Sequence, residues 1–143
     1  QGRLKMHIRA LEAGDTERVV ALWHKTGLTR PWNDPYKDIE RKLTVQPELF
    51  LVGELNDEIT ATAMGGYDGH RGSVYYLAVS PRHTAQGYGR AIMRALEARL
   101  VAMGCPKLNL LFRSDNAAVQ GFYQHAGYET QQVNCLGKRL IED

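Results

Sequence analysis

A chain of 143 residues is long enough for one domain with a substantial core. Its hydrophobic fraction of 43% and charged fraction of 24% are ordinary for a soluble globular protein, with no apolar run near the roughly 20 residues that span a bilayer and no basic-then-apolar leader. The formal charge of +2 traces to Arg3 and Lys5, in a pentapeptide ahead of Met6 that reads as an expression-vector remnant. Without them, basic and acidic residues are equal at 16, so neither a nucleic-acid surface nor a membrane surface is indicated.

From Met6, His7-Ile8-Arg9-Ala10-Leu11 reads as a first strand. Asp15 is placed to cap a helix running to about Lys25, with Val19, Val20, Leu22 and Trp23 near one stripe and Gly27 ending it. The loop Leu28-Thr29-Arg30-Pro31-Trp32-Asn33-Asp34-Pro35 follows. Asp34 caps a second helix with Pro35 at its first position, and Tyr36, Ile39 and Leu43 recur at helical spacing. Residues 49–55 read as a strand, Asn56-Asp57 as a hairpin turn and 58–65 as the returning strand. A turn over 67–72 leads into the apolar strand Tyr75-Tyr76-Leu77-Ala78-Val79. A turn with Ser80-Pro81 then gives Thr84-Ala85-Gln86-Gly87-Tyr88-Gly89 and an amphipathic helix to about Met103.

Residues 108–112 form another strand, followed by a helix carrying Asn116-Ala117-Ala118-Val119-Gln120-Gly121-Phe122-Tyr123 and closing on Gly127-Tyr128. Residues 129–133 and 135–141 read as a closing pair of strands. The order β α α β β β α β α β β, without repeat or linker, argues a single mixed α/β domain with helices on both faces of the sheet.

The side chains exclude some chemistries. Cys105 and Cys135 form no C-x-x-C and are too few to staple a secreted scaffold, which favours reduced thiols in the cytoplasm. The five histidines lack zinc-site spacing, so no metal is expected. Glycines before a helix suit a phosphate, because backbone N–H groups and the positive end of the helix dipole converge there. The dinucleotide fingerprint fails, since Ile92 stands three residues after Gly89, and the Walker pattern fails at Gly137-Lys138-Arg139. Taken alone, Gly87 and Gly89 also fit a plain helix-starting turn whose glycines relieve strain.

With these motifs in view, the chain resembles the GNAT superfamily of acyl-CoA-dependent N-acetyltransferases. Their cofactor motif, Arg/Gln-x-x-Gly-x-Gly/Ala after a strand and opening a helix, is met at its fourth and sixth positions by Gly87 and Gly89. Thr84 stands where Arg or Gln is usual, and Ala85 where glycine is common. The second signature, Asn-x-Ala-Val/Ile-x-x-Phe/Tyr-Tyr with a later Gly-Phe/Tyr pair, fits Asn116 through Tyr128. The similarity extends over 6–143. Arg30 to Pro35, Gly65 to Gly72 and Leu136 to Arg139 resemble more narrowly the YpeA-type subgroup.

The resemblance implies a central mixed, mostly antiparallel twisted sheet splayed at two central parallel strands. It implies acetyl-CoA as cosubstrate, with pantetheine entering the splay beside Leu77, Ala78 and Val79, and a bulge opening the gap. Thr84, Ala85, Gln86, Gly87, Tyr88, Gly89 and Arg90 then hold the pyrophosphate, and Asn116 braces the cofactor arm. Tyr123, seven residues after Asn116 on the same helix side, donates its proton to the leaving thiolate; otherwise it is a half-buried aromatic beside Phe122 and Val119. Arg30, Trp32, Asn33, Asp68 and Tyr75 are expected around the acceptor. The base stays open among Asp68, His70, Tyr75, Glu54 and a water relay. The acceptor stays open between a small-molecule amine and a protein or peptide amine. A homodimer is among the oligomeric states left open, and a non-catalytic acyl-CoA-binding module is the other reading of the same motifs.

Overall fold

The computed structural model describes residues 5–112 and 117–143; the first four residues of the expected remnant and Asn116 lie outside them. In chain order the elements are β1 (His7–Ala10), α1 (Thr16–Lys25), α2 (Pro35–Lys42), β2 (Phe50–Leu55), β3 (Glu58–Tyr67), β4 (Gly72–Val79), α3 (Tyr88–Ala102), β5 (Leu108–Leu110) and α4 (Ala117–His125). The sheet runs β1-β2-β3-β4-β5, with antiparallel neighbours up to β4 and a parallel pair between β4 and β5.

Local chemistry accounts for most boundaries. The Asp34 carboxylate accepts from the N–H groups of Tyr36 (2.9 Å) and Lys37 (3.4 Å), and Pro35 opens α2, where a missing N–H costs nothing. Gly27 and Gly127 follow α1 and α4 with φ of +72° and +93°, a left-handed exit that suits glycine. Asn56 and Asp57 both take positive φ (52° and 63°), as a two-residue hairpin turn twisted to match its strands requires. Asp15 differs from expectation. It ends a single 3-10 turn, and its carboxylate takes bonds from Arg9, Arg18 and the Glu12 N–H instead of capping α1.

Strand alternation sends side chains to two cores. Leu51, Ala61, Ala63 and Val74 pack with Tyr88, Ile92, Met93, Leu96 and Leu100 of α3 and with Tyr123 of α4. Phe50, Val52, Ile59 and Ala78 face Val19, Val20, Leu22 and Trp23 of α1 and Ile39 of α2. The helices therefore cover both faces. The approach of α3 to β3 is close enough that a Cβ on Gly65 would stand 2.3 Å from Leu96 Cδ1. Among the described residues no helix is long and apolar enough to cross a membrane.

The expected strands over 129–133 and 135–141 are not formed; the chain from 128 onward carries no regular element. β5 has only three residues and spends them on β4, so the sheet offers this stretch little edge. Its apolar side chains stay out, with Leu136 at 94% and Leu140 at 85% exposure. Polar groups hold its far end instead. Asp143 accepts from the Asp34 N–H (3.0 Å) and from Arg41 (2.8 Å), and Arg139 donates to Asn33 Oδ1 (3.1 Å).

Candidate active site

The end of β4 and the start of α3 form one corner. After Val79, the Ser80 N–H bonds to Thr60 O at 2.7 Å, a short 3-10 turn follows, and the chain reaches α3 through an exposed loop. Thr84, Ala85, Gly87 and Arg90 are exposed, so the loop backbone is open to a ligand. Gly87 precedes the first helical residue with φ of +82° and supplies no capping side chain. The first turn holds no acidic residue, leaving the positive helix end uncompensated by protein carboxylates there. These features fit a pyrophosphate. Gly89 has a packing role as well: a Cβ there would lie 3.3 Å from both Phe122 Cζ and Val79 Cγ2, so glycine lets α3, α4 and β4 meet. Ala85 takes φ of +61°, which explains why glycine suits that position.

β4 is paired on both sides for only part of its length. Its parallel contacts with β5 are Gly72 to Leu108, Ser73 to Asn109 and Val74 to Leu110, after which no described strand continues on that side. On the other side β4 stays paired with β3 to Val79. A bulge interrupts that ladder: Thr62 faces Ala78 and Met64 faces Tyr75, so Ala63 opposes both Tyr76 and Leu77. Tyr76 carries the distortion, at φ +54°. Leu77 and Val79 pack on the α3 side and Ala78 is buried on the α1 side, so these side chains serve the core while the outer backbone edge faces the splay.

Tyr123 is 7% exposed, its ring 5.2 Å from Phe122 and 5.7 Å from both Phe112 and Tyr128. Burial pushes its phenol up to about 12, keeping it protonated through the neutral range. Among the described residues its hydroxyl has no hydrogen-bond partner, whereas Tyr128 donates to Glu97. Asn116, the expected brace on the same helix side, lies outside the described residues.

On the opposite face, a hollow of about 650 Å³ gathers Arg30, Trp32, Asn33 and Tyr75 with Asp38, Lys42 and Tyr76. The first four, singled out in the sequence, are thus brought together; the other three were not singled out, because two sit on the polar side of α2 and the third depends on the bulge. Asp38 Oδ2 accepts from the Tyr76 hydroxyl (2.6 Å) and from Asn33 Nδ2 (2.5 Å). Burial, reinforced by Asp38, raises the Tyr76 phenol well above its ordinary value. Tyr76 stacks on Trp23 with centroids 3.7 Å apart, and Trp23 Nε1 donates to Thr62 Oγ1 at 3.0 Å. Arg30 turns inward to its own loop, its Nη1 bonding Gly27 O and Thr29 O, both at 2.8 Å.

Asp68 stands apart from this group. It lines a neighbouring hollow that shares Tyr75 and Lys42, and its Oδ1 accepts from the N–H groups of Arg71 and His70 (both 2.7 Å), which holds its carboxyl below the usual range. Glu54 is engaged with Arg9 (3.4 Å) and Arg18 (3.7 Å). Of the four side chains considered as base, Tyr75 alone lines the Arg30–Asp38 hollow. Among the described residues no group of three or more His, Cys, Asp or Glu is placed to hold a metal.

A family model described as acetyltransferase (GNAT) family matches residues 17–128. A Yersinia pestis protein named acetyltransferase is 54% identical over 138 residues, covering 96% of this chain and 98% of its own length. Among solved structures, Ard1 from Thermoplasma volcanium superposes with a TM-score of 0.79 at 24% identity, over 88% of this chain and 84% of that one. The aminoglycoside acetyltransferase AAC(6')-Iy, solved with a bisubstrate analogue built on CoA, gives a TM-score of 0.78 at 17% identity, over 94% and 99% of the two chains.

Proposed function

Because the chain belongs to the GNAT family of acetyltransferases, we propose that it moves an acetyl group from acetyl-CoA directly to a primary amine while both are bound. One observation carries this reading. The exposed, glycine-led start of α3 adjoins the outer edge of β4 where β5 stops, and the bulge in the same strand turns Tyr76 into a separate hollow on the other face. A donor arm along the splay and an amine in the hollow then approach one another across β4. The CoA analogue on AAC(6')-Iy, a protein of the same fold, is consistent with such a donor.

When bound, acetyl-CoA supplies an acetyl group activated as a thioester. The backbone of 84–89 and Arg90 at the α3 N-terminus hold its pyrophosphate, and the edge of β4 at Leu77 to Val79 orients its arm. The loop of Arg30 to Asn33, with Tyr75 and Tyr76, positions the amine. Asp38, fixed by Tyr76 and Asn33, is the carboxylate lining that hollow; it accepts an amine hydrogen bond and takes the proton the amine loses as the C–N bond forms and the C–S bond breaks. Tyr123 keeps its proton up to about pH 12 and delivers it where thiolate charge develops. The same dry surroundings that raise the phenol also raise a thiolate's basicity, which narrows the gap between donor and acceptor.

Thermal unfolding and a thiol-release assay test the reading. Acetyl-CoA at about 100 times its dissociation constant stabilises the fold by roughly 2.7 kcal/mol, and a mixed panel of amines releases CoA thiol only when an acceptor is present. An unchanged melting curve at millimolar acetyl-CoA, with no thiol release, refutes it.

A further inference from the structure

Three cations line the acceptor hollow, and two are already spent: Arg30 on the carbonyls of Gly27 and Thr29, Arg41 on Asp143 at 2.8 Å. Lys42 is different. It lies four residues after Asp38 on α2, about 6 Å along the axis and on the same side, a spacing at which lysine and aspartate ordinarily pair. Asp38 is instead turned to Tyr76 and Asn33 through one oxygen, with Arg41 Nη1 3.6 Å from the other. No carboxylate among the described residues comes within salt-bridge distance of Lys42; Glu48 acts on it only at longer range.

The Lys42 ammonium reaches the wall between the two hollows and lines both. It stands 3.7 Å from the point where a Gly66 Cβ would be, and Ser73 Oγ stands 3.5 Å from the same point. Glycine at 66 leaves that space open. The Ser73 hydroxyl has no hydrogen-bond partner among the described residues. Gln46 Oε1, 3.8 Å from that point, is held by the Tyr67 N–H at 2.9 Å. A half-buried ammonium and a hydroxyl donor therefore converge on one site, and the lysine stands about one helical turn along α2 from the residue whose carboxylate is assigned to the amine. Burial pushes the lysine down from its ordinary value, a cost that a bound anion relieves.

We propose that the acceptor is a small amine that also carries an anionic group, a carboxylate or a phosphate, which Lys42 and Ser73 hold while the amine lies at Asp38. This rests on the acetyltransferase reading and adds the class of acceptor. The amine end lies in the hollow of about 650 Å³ and the anionic end in the adjoining one of about 480 Å³, lined by Gly66 and Ser73, with Lys42 and Tyr75 shared between them, sizes that suit a small molecule of this kind.

The test uses matched acceptors: β-alanine against propylamine, L-phenylalanine against phenethylamine, and O-phosphoethanolamine against ethanolamine. The first two pairs probe a carboxylate and the third a phosphate. At least one pair is expected to favour its anionic member by about ten-fold or more in kcat/KM. Lys42→Met lowers that member's kcat/KM by about 10- to 100-fold through KM, and leaves the neutral partner and the acetyl-CoA KM within about two-fold. Lys42→Arg restores most of the loss, and Ser73→Ala gives a smaller loss of the same selectivity. Equal or better turnover of the neutral amines, or equal loss on both members in Lys42→Met, overturns the anion site and leaves acetyl transfer intact. Acetylation of no member of any pair, in protein that still gains stability from acetyl-CoA and acetylates another amine of the mixed panel, overturns the anionic acceptor class and leaves acetyl transfer intact.

Discussion

Replacing Tyr123 by phenylalanine separates proton donation from packing. The substitution removes a hydroxyl that has no hydrogen-bond partner among the described residues and leaves the ring between Phe112, Phe122 and Tyr128. Stability at pH 7 is therefore expected to change by no more than about 0.5 kcal/mol. The loss of a positioned general acid, by contrast, slows transfer by about 100-fold, or about 2.7 kcal/mol in barrier. Alkaline unfolding supplies a second readout. A phenol raised from 10 to about 12 by burial favours the folded state fully below pH 10, and this contribution is lost as pH rises through about 12. Over that window the parent loses up to about 2.7 kcal/mol that the phenylalanine variant does not. Tyr76 is common to both proteins and cancels in the difference, and Tyr128, held up chiefly by burial and Glu97 and least by Tyr123, cancels in its larger part. The assay is single-turnover acetyl transfer from acetyl-CoA, followed beside denaturant unfolding at pH 7 and pH 11. Unchanged single-turnover rates in the variant return Tyr123 to a purely packing role.

Perturbations at four further positions follow from the same geometry. Gly87→Glu abolishes the acetyl-CoA thermal shift, whereas Gly87→Ala, which meets the same φ of +82° without the charge, costs about 1–2 kcal/mol of stability and keeps part of the shift in a ligand titration. Ala85→Gly relieves a left-handed alanine at φ +61° and raises stability by about 1 kcal/mol in chemical denaturation without weakening acetyl-CoA. Arg30→Ala destabilises by about 1–2 kcal/mol, read from denaturant midpoints, because its guanidinium ties two loop carbonyls. Asp15, lowered to about 2 chiefly by its bonds from Arg9, contributes about 2 kcal/mol above its unfolded value near 3.8. That contribution is lost as pH falls through about 2, and Asp15→Asn flattens this part of the acid unfolding profile.

What could be read from the sequence was whatever local chemistry decides. Asp34-Pro35, Asn56-Asp57 and the Gly87 turn each have a backbone requirement that few residues meet, and each took the expected form. The two glycine-and-tyrosine stretches pointed to the fold family, whose model covers both. Three features depended on partners distant in sequence. Asp15 resembled a cap, but two arginines compete for its carboxylate. Alternating apolar residues after Tyr128 resembled strands, but pairing needs an edge, and β5 is too short to give one. Tyr76 by simple alternation would follow Val74 toward α3; the bulge reverses the phase and delivers its hydroxyl to Asp38. Asp38 and Lys42 carry no signal beyond ordinary helix-surface charge, because their significance comes from which partner each has and which it lacks.

The stacking of Trp23 on Tyr76 has an optical consequence. The chain contains two tryptophans, and both report on the same hollow: Trp23 is fully buried against the Tyr76 ring, and Trp32 stands 60% exposed on the rim. No tryptophan lies in the 84–89 turn or in α3. Indole emission shifts to shorter wavelength when water is displaced from it, so an amine entering the hollow blue-shifts the Trp32 component. A movement of Tyr76 alters the quenching of Trp23, while acetyl-CoA bound at the turn leaves the Trp32 component largely unmoved. A single spectrum of the unlabelled protein thus distinguishes acceptor from donor occupancy, and a titration by this signal ranks acceptor candidates before any turnover is measured.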